Sequence, residues 1–165
     1  MPPIGRSCVC FLKNRTYWNR VIIMNQNQQM LTSLLHTVQM GQTGIRTVQH
    51  RACGAALRQE LSQQLKEYDA IEKDALRLAQ DRGWTLSNVN PVVKHMSRMM
   101  ANMQLMMGEV DSKIAGMLIQ GNTRGIILGV KNLNRDDHTD SQVTQLAQRL
   151  LNRENINIQK SQVYL

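Results

Sequence analysis

Aromatic side chains make up only 4% of this chain, with a single Phe, and there are three prolines. Strands draw on aromatic and β-branched residues, so this scarcity beside abundant Leu, Met, Gln and Ala turns the reading from sheet to helix. The three cysteines, Cys8, Cys10 and Cys53, are odd in number, and the first two stand too close for an easy bridge. That excludes a disulfide-stapled secreted fold and points to a reducing cytoplasm. Cys8 and Cys10 also lack a second pair at zinc-site spacing. No run approaches the roughly twenty apolar residues that span a bilayer. The nearest candidate, Met117 to Val130, is broken by Gln120, Asn122 and Arg124, so no membrane partner is expected.

Acidic residues are missing from the whole first third: the first is Glu60. The formal net charge of +8 is therefore carried by the amino-terminal 59 residues, and the remainder is close to neutral. A basic nucleic-acid face would have to be built from Arg46, Arg51 and Arg58 alone, which makes nucleic acid an unfavoured partner.

What is present is helical periodicity. At 165 residues the chain is long enough for one domain with a sizeable core. Residues 1–23 hold Pro2, Pro3, Gly5, two cysteines, Trp18 and the only Phe, with no sustained helical period. They read as a disordered or non-native extension, with a helical bundle domain over 24–165 and Met24 as the expected start. From Gln26 to about His50 a heptad places Leu31, Val38 and Ile45 at one position and Leu34, Gly41 and Val48 at the other. A second helix is expected from Gly54 to Arg82, with Leu57, Leu61, Leu65, Tyr68, Ile71, Ala75 and Leu78 on its stripe and Gly83 as terminator.

Asn90 and Pro91 open a methionine helix, in which Met96, Met99, Met100, Met103, Met106 and Met107 follow steps of three and four. The next helix, about Asp111 to Asn134, buries Ile114, Met117, Leu118, Ile127 and Val130. It carries a ladder of Gly121, Gly125 and Gly129, one turn apart. Each glycine costs roughly 1 kcal/mol against alanine, so the ladder implies a closely packed neighbour or an interface. Thr139 and Gln142 form a capping box before a last helix with Val143, Leu146, Ala147, Leu150, Leu151 and Ile158 inside. The long connection over 83–110 gives two helical hairpins joined by a crossover. The fold expected is thus all-α, a four-helix bundle of ferritin-like connectivity with an additional Met-rich crossover helix.

The stretches KEYDAIEKDALRLAQDRGW, IAGMLIQGNTRGIILGVKNLN and VTQLAQRLLNRENINIQK resemble a family of small, uncharacterised bacterial ferritin-like proteins, over about Met24 to Leu165. The resemblance implies a fold and supplies no activity.

A ferritin-like di-metal site needs a Glu from each of two helices and Glu-x-x-His from each of the other two. Glu72 and Glu154 fall on or beside apolar stripes and are the carboxylate candidates for an iron site. Ala75 and Asn157 stand where each would need a histidine. The competing reading is a buried polar network of Tyr68, Gln42, Gln120, Glu72, Arg124 and Glu154. Met96, Met99 and Met103, beside His95, offer soft thioether ligands for Cu(I). Met100, Met106 and Met107, with Gly121, Gly125 and Gly129, offer an adaptable interface, although methionine is also an ordinary core filler. Cys53 has His50 three residues before it, but adjacency in sequence does not establish a catalytic dyad, and nothing resembles a phosphate-binding loop.

The expected function is a non-enzymatic structural or interaction module, acting as a homo-oligomer or with a protein partner and without a cofactor. The alternative is a metal-binding bundle. Peptide mapping of the protein from its native source should return no peptides from Val9 to Arg20; their recovery would overturn a start at Met24.

Overall fold

The heptad from Leu31 to Val48 is carried by helix α1 (Phe11–Val48) in a computed structural model that describes residues 11–86, 109–135 and 140–165, with side chains from residue 26 onward. The helix runs through Met24 without a break. Leu31, Leu34, Val38, Ile45 and Val48 are all buried, as the heptad requires. Threonine is a poor helix former, yet Thr32, Thr37, Thr43 and Thr47 each donate a hydroxyl to the carbonyl four residues back, so none competes for a neighbour's backbone.

Helix α2 (Ala55–Asp81) buries Leu57, Leu61, Gln64, Tyr68, Ile71, Ala75 and Leu78. Gln64 takes the inward place expected of Leu65, which is half-buried beside the core. The helix ends as its glycine predicts. Gly83 adopts φ 64°, its N–H bonds the Gln80 carbonyl, and the Trp84 N–H bonds the Ala79 carbonyl, a Schellman arrangement that satisfies the last carbonyls.

Helix α3 (Val110–Leu133) and helix α4 (Ser141–Gln162) complete the described fold. The capping box expected at Thr139 and Gln142 is replaced by a simpler cap. Asp140 accepts the Gln142 N–H at 2.9 Å, while the Gln142 side chain accepts from Arg82 instead of turning back to the helix start. Thr139, the Asn90–Pro91 helix start and the whole methionine segment lie outside the described residues.

Helix directions follow from cross-contacts. Gln42 bonds Glu72 and Gln49 bonds Ser62, so α1 and α2 are antiparallel. Glu60 pairs with Lys160, Glu67 with Arg153 and Asp74 with Arg149, so α2 and α4 are antiparallel. Gly116 lies by Leu165, Gly125 by Glu154 and Gly129 by Leu151, which makes α3 and α4 antiparallel. Helices α2 and α3 are therefore parallel, and the chain between them joins opposite ends of the bundle, as expected. The core of Leu31, Ile45, Leu57, Leu61, Ile71, Ile114 and Val143 is shared by all four helices.

Two latches tie the ends. At one, Arg82, the C-cap of α2, pairs with Asp140 at 2.9 Å. Burial alone would raise the Asp140 carboxyl, but the Gln142 N–H and the Arg82 guanidinium outweigh it and hold the group below its ordinary value. At the other, Asp111 in the first turn of α3 accepts the Cys53 N–H at 2.7 Å and the Gly54 N–H at 2.8 Å. Gly54 is the N-cap of α2 and has no side chain to cap with; the carboxylate from α3 instead holds the two N–H groups just ahead of the helix and sets a negative charge at its N-terminus. Asp111→Ala should lower stability by about 1–2 kcal/mol in urea unfolding, and Asp111→Asn by less.

Candidate functional site

Polar residues at helical spacing on otherwise apolar stripes mark the site. Gln64 and Tyr68 stand four apart on α2, and Glu154, Asn157 and Ser161 stand three and four apart on α4, all buried. Asn122 joins them from α3. Tyr68, Asn122 and Glu154 are 3%, 5% and 2% exposed, so water does not bathe them.

The Tyr68 hydroxyl is 2.9 Å from Asn122 Oδ1 and 3.3 Å from Glu154 Oε1. Asn122 Nδ2 donates to the Leu118 carbonyl at 2.7 Å, which fixes the amide's oxygen toward Tyr68. Two glycines make this fit possible. A Cβ on Gly41 of α1 would stand 2.8 Å from the Tyr68 ring, and a Cβ on Gly125 of α3 would overlap the Glu154 carboxyl. Burial pushes the Glu154 carboxyl up to about 8, opposed in part by the Tyr68 hydroxyl. Burial also raises the Tyr68 hydroxyl well above its ordinary value, with the charge of Glu154 adding to it. Both shifts favour the uncharged form at neutral pH. Gln64 Oε1, Glu154 Oε2, Asn157 Oδ1 and Ser161 Oγ find no hydrogen-bond partner among the described residues, an unusual concentration for a bundle core.

The expected single network divides into two. Gln42 and Glu72 belong to the α1–α2 seam, where Glu72 accepts from Gln39 at 2.9 Å and from Gln42 at 2.6 Å. Gln42 also reaches Asp69, which pairs with Arg46. Gln120 and Arg124, expected to point inward, are exposed on α3. Glu72 and Glu154 thus answer to different partners, and no group of three or more His, Cys, Asp or Glu that could hold a metal ion occurs among the described residues. Gln64, Asn122, Asn157 and Ser161 escape the sequence reading, although their spacing on apolar stripes is a signal that could have found them.

The glycine ladder also divides. Gly125 and Gly129 face Glu154 and Leu151 of α4, while Gly121 is exposed, and a Cβ added to it would meet nothing within 4 Å. Ile127 and Val130, expected inside, are 49% and 41% exposed, and Leu128 is 48% exposed. The reason is rotational: the glycine side of α3 is the one turned to α4, which leaves these three on the outer arc. Of the basic residues, Arg46 is paired and Arg58 donates to the Ala52 and Cys53 carbonyls; Arg51 is half-buried. Met96, Met99, Met100, Met103, Met106 and Met107 lie outside the described residues. An open groove of about 440 Å³ between α2 and α4 is lined by Asp74, Arg77, Asp81 and Arg149, charges of both signs that favour no single ligand.

No protein-family model matches the chain. No curated protein matches it either. Among solved structures, the crystal structure of a DUF305 fragment from Deinococcus radiodurans is similar, with a TM-score of 0.69 at 11% identity, covering 84% of this chain and 93% of that one. At that identity the likeness shows a shared all-helical fold.

The two fates of the ladder glycines separate in stability. Gly125→Ala should destabilise by about 1–3 kcal/mol, because the Glu154 carboxyl has nowhere to go. Gly121→Ala should stabilise by up to about 1 kcal/mol through helix propensity alone. Urea unfolding of the two variants reads both.

Proposed function

We propose that this chain is a non-enzymatic, ferritin-like helical bundle that works as an interaction module, associating through the outer face of α3. The observation that carries the reading is the row Ile127, Leu128 and Val130, three large apolar side chains between 41% and 49% exposed on the carboxy-terminal half of one helix. Large apolar side chains left at the surface side by side on one helix are the kind of feature that marks interaction sites. The pairing of two antiparallel hairpins with parallel inner helices supports the ferritin-like connectivity. A non-enzymatic role is supported by a polar cluster sealed from solvent and an open groove without convergent charge. The exposed, unbridged thiol of Cys53 suits a reducing cytoplasm, and no helix among the described residues is long and apolar enough to cross a membrane.

A carboxylate iron site has weaker support. Both Glu72 oxygens accept from amides of α1, and Glu154 keeps its proton at neutral pH, so neither offers a free charged ligand. Metal bound by Met96, Met99 and Met103 is the alternative, tested by anaerobic Cu(I) titration of the protein beside a Met99/Met103→Leu variant.

Sedimentation equilibrium over a range of concentrations should show the mass of the protein rising with concentration, and Ile127→Lys/Leu128→Lys should hold it at one chain. A wild-type mass that stays at one chain throughout would overturn self-association through α3.

A further inference from the structure

A tyrosine hydroxyl has one proton to give, and the Tyr68 hydroxyl faces two oxygens. Asn122 must present its oxygen, because its nitrogen is committed to the Leu118 carbonyl. If Tyr68 donates to Asn122 at the shorter distance, the remaining contact to Glu154 Oε1 is a hydrogen bond only when Glu154 supplies the proton. The geometry therefore carries its own order of donors. With Glu154 protonated, its O–H is the donor to Tyr68, Tyr68 O–H the donor to Asn122, and Asn122 N–H the donor to the backbone of α3. The other carboxyl oxygen, Oε2, lies against Gly125, where no side chain offers it a donor.

We propose that Glu154, Tyr68 and Asn122 form a proton-operated latch between α2 and α3, closed while the Glu154 carboxyl is protonated and opened when that proton leaves to solvent. Once Glu154 is ionised, the Tyr68 hydroxyl turns to the carboxylate, and Asn122 Oδ1 is left buried without a donor. The bond from α2 to α3 is given up while the bond from α2 to α4 is kept. Movement is thereby directed at α3.

The surroundings offer the carboxylate no alternative counter-charge. From α2 come Tyr68 and Glu67, and Glu67 is paired with Arg153 of α4. From α1 come Gly41 and Gln42, the latter bound to Asp69 and Glu72. From α3 come Asn122 and Gly125, while Arg124 is exposed to solvent. On the same helix as Glu154, Asn157 is hydrogen-bonded to the Tyr68 hydroxyl and carries no charge.

The sign of the effect follows from which state holds the proton. Folded Glu154 keeps its proton to about 8, whereas the ordinary carboxyl releases it at 4.5. Between those values the folded chain binds one proton more than the unfolded chain, so stability falls as pH rises and levels off above about 8. The unfolding constant of the wild type, divided by that of Glu154→Gln, should rise by up to about tenfold per pH unit inside the window. The ratio removes histidine titrations common to both proteins. Glutamine keeps a donor for Tyr68 without a titratable group, so that variant should lack this dependence. Parallel profiles for the two proteins would overturn the latch.

Infrared spectroscopy of the wild type gives a second reading that needs no variant to fold. A protonated carboxylic acid carbonyl band should persist at neutral pH and vanish above about 8; its absence at neutral pH would overturn the proposal. Asn122→Ala separates the latch from a merely buried acid. Without its competing acceptor, the Tyr68 hydroxyl is free for the carboxylate, and the carbonyl band should titrate at lower pH. An unchanged titration would show that Tyr68 does not arbitrate between the two helices and would likewise overturn the proposal.

Discussion

All four helices reach one side chain. Tyr68 projects from α2, its ring rests on Gly41 of α1, and its hydroxyl meets Asn122 of α3 and Glu154 of α4. Aliphatic packing above and below this level is adaptable, since leucine and isoleucine accept many neighbours. The tyrosine contact is directional and admits one rotation and one height for each helix. Register in the bundle is accordingly set by a polar group, while the apolar layers supply most of the driving force. The two glycines belong to the same constraint: Gly41 gives the ring its floor, and Gly125 lets a carboxyl lie against a helix backbone.

This arrangement places an acid in the core and keeps it neutral through burial. A buried carboxylate without a cation is among the more costly features a core can contain, and protonation avoids that cost by storing a proton. The same choice speaks against a metal reading of this position, because a cation would require the charged form. At its centre the bundle holds a chain of neutral hydrogen-bond donors and acceptors.

Much of the helical layout is legible in the residues. The heptad through Leu31, Val38 and Ile45 marks the inward face of α1, Gly83 marks the end of α2, and the length of the 83–110 connection implies the parallel inner helices. The site is legible only in part. Tyr68 and Glu154 stand out on their stripes, but periodicity says which side of a helix faces inward and not which residue on a neighbouring helix it meets. Gln42, Glu72, Gln120 and Arg124 therefore look like companions of Glu154, when Gln42 and Glu72 share a different seam and the other two face solvent. Gly121, Gly125 and Gly129 look equivalent in sequence, and only the line of approach of α4 decides which of them are covered. Ile127 and Val130 depart from expectation for a related reason: apolar character does not ensure burial, and α3 carries more apolar surface than its described neighbours can cover.

The parallel run of α2 and α3 also bears on how the chain reaches this structure. Side-chain bonds between the two helices of the first hairpin join residues 13 to 33 apart, as in Gln49 to Ser62 and Gln39 to Glu72, whereas those between hairpins join residues from 54 apart, as in Tyr68 to Asn122, to 113 apart, as in Asp140 to Asn27. Loop closure favours the nearer partners, so each hairpin is a local unit that forms early, and its docking against the other is the late, high-contact-order step. Tyr68 sits on the surface closed by that step. Its bonds to Asn122 and Glu154 are thus made only after both hairpins exist, and they check the alignment of two pieces already built.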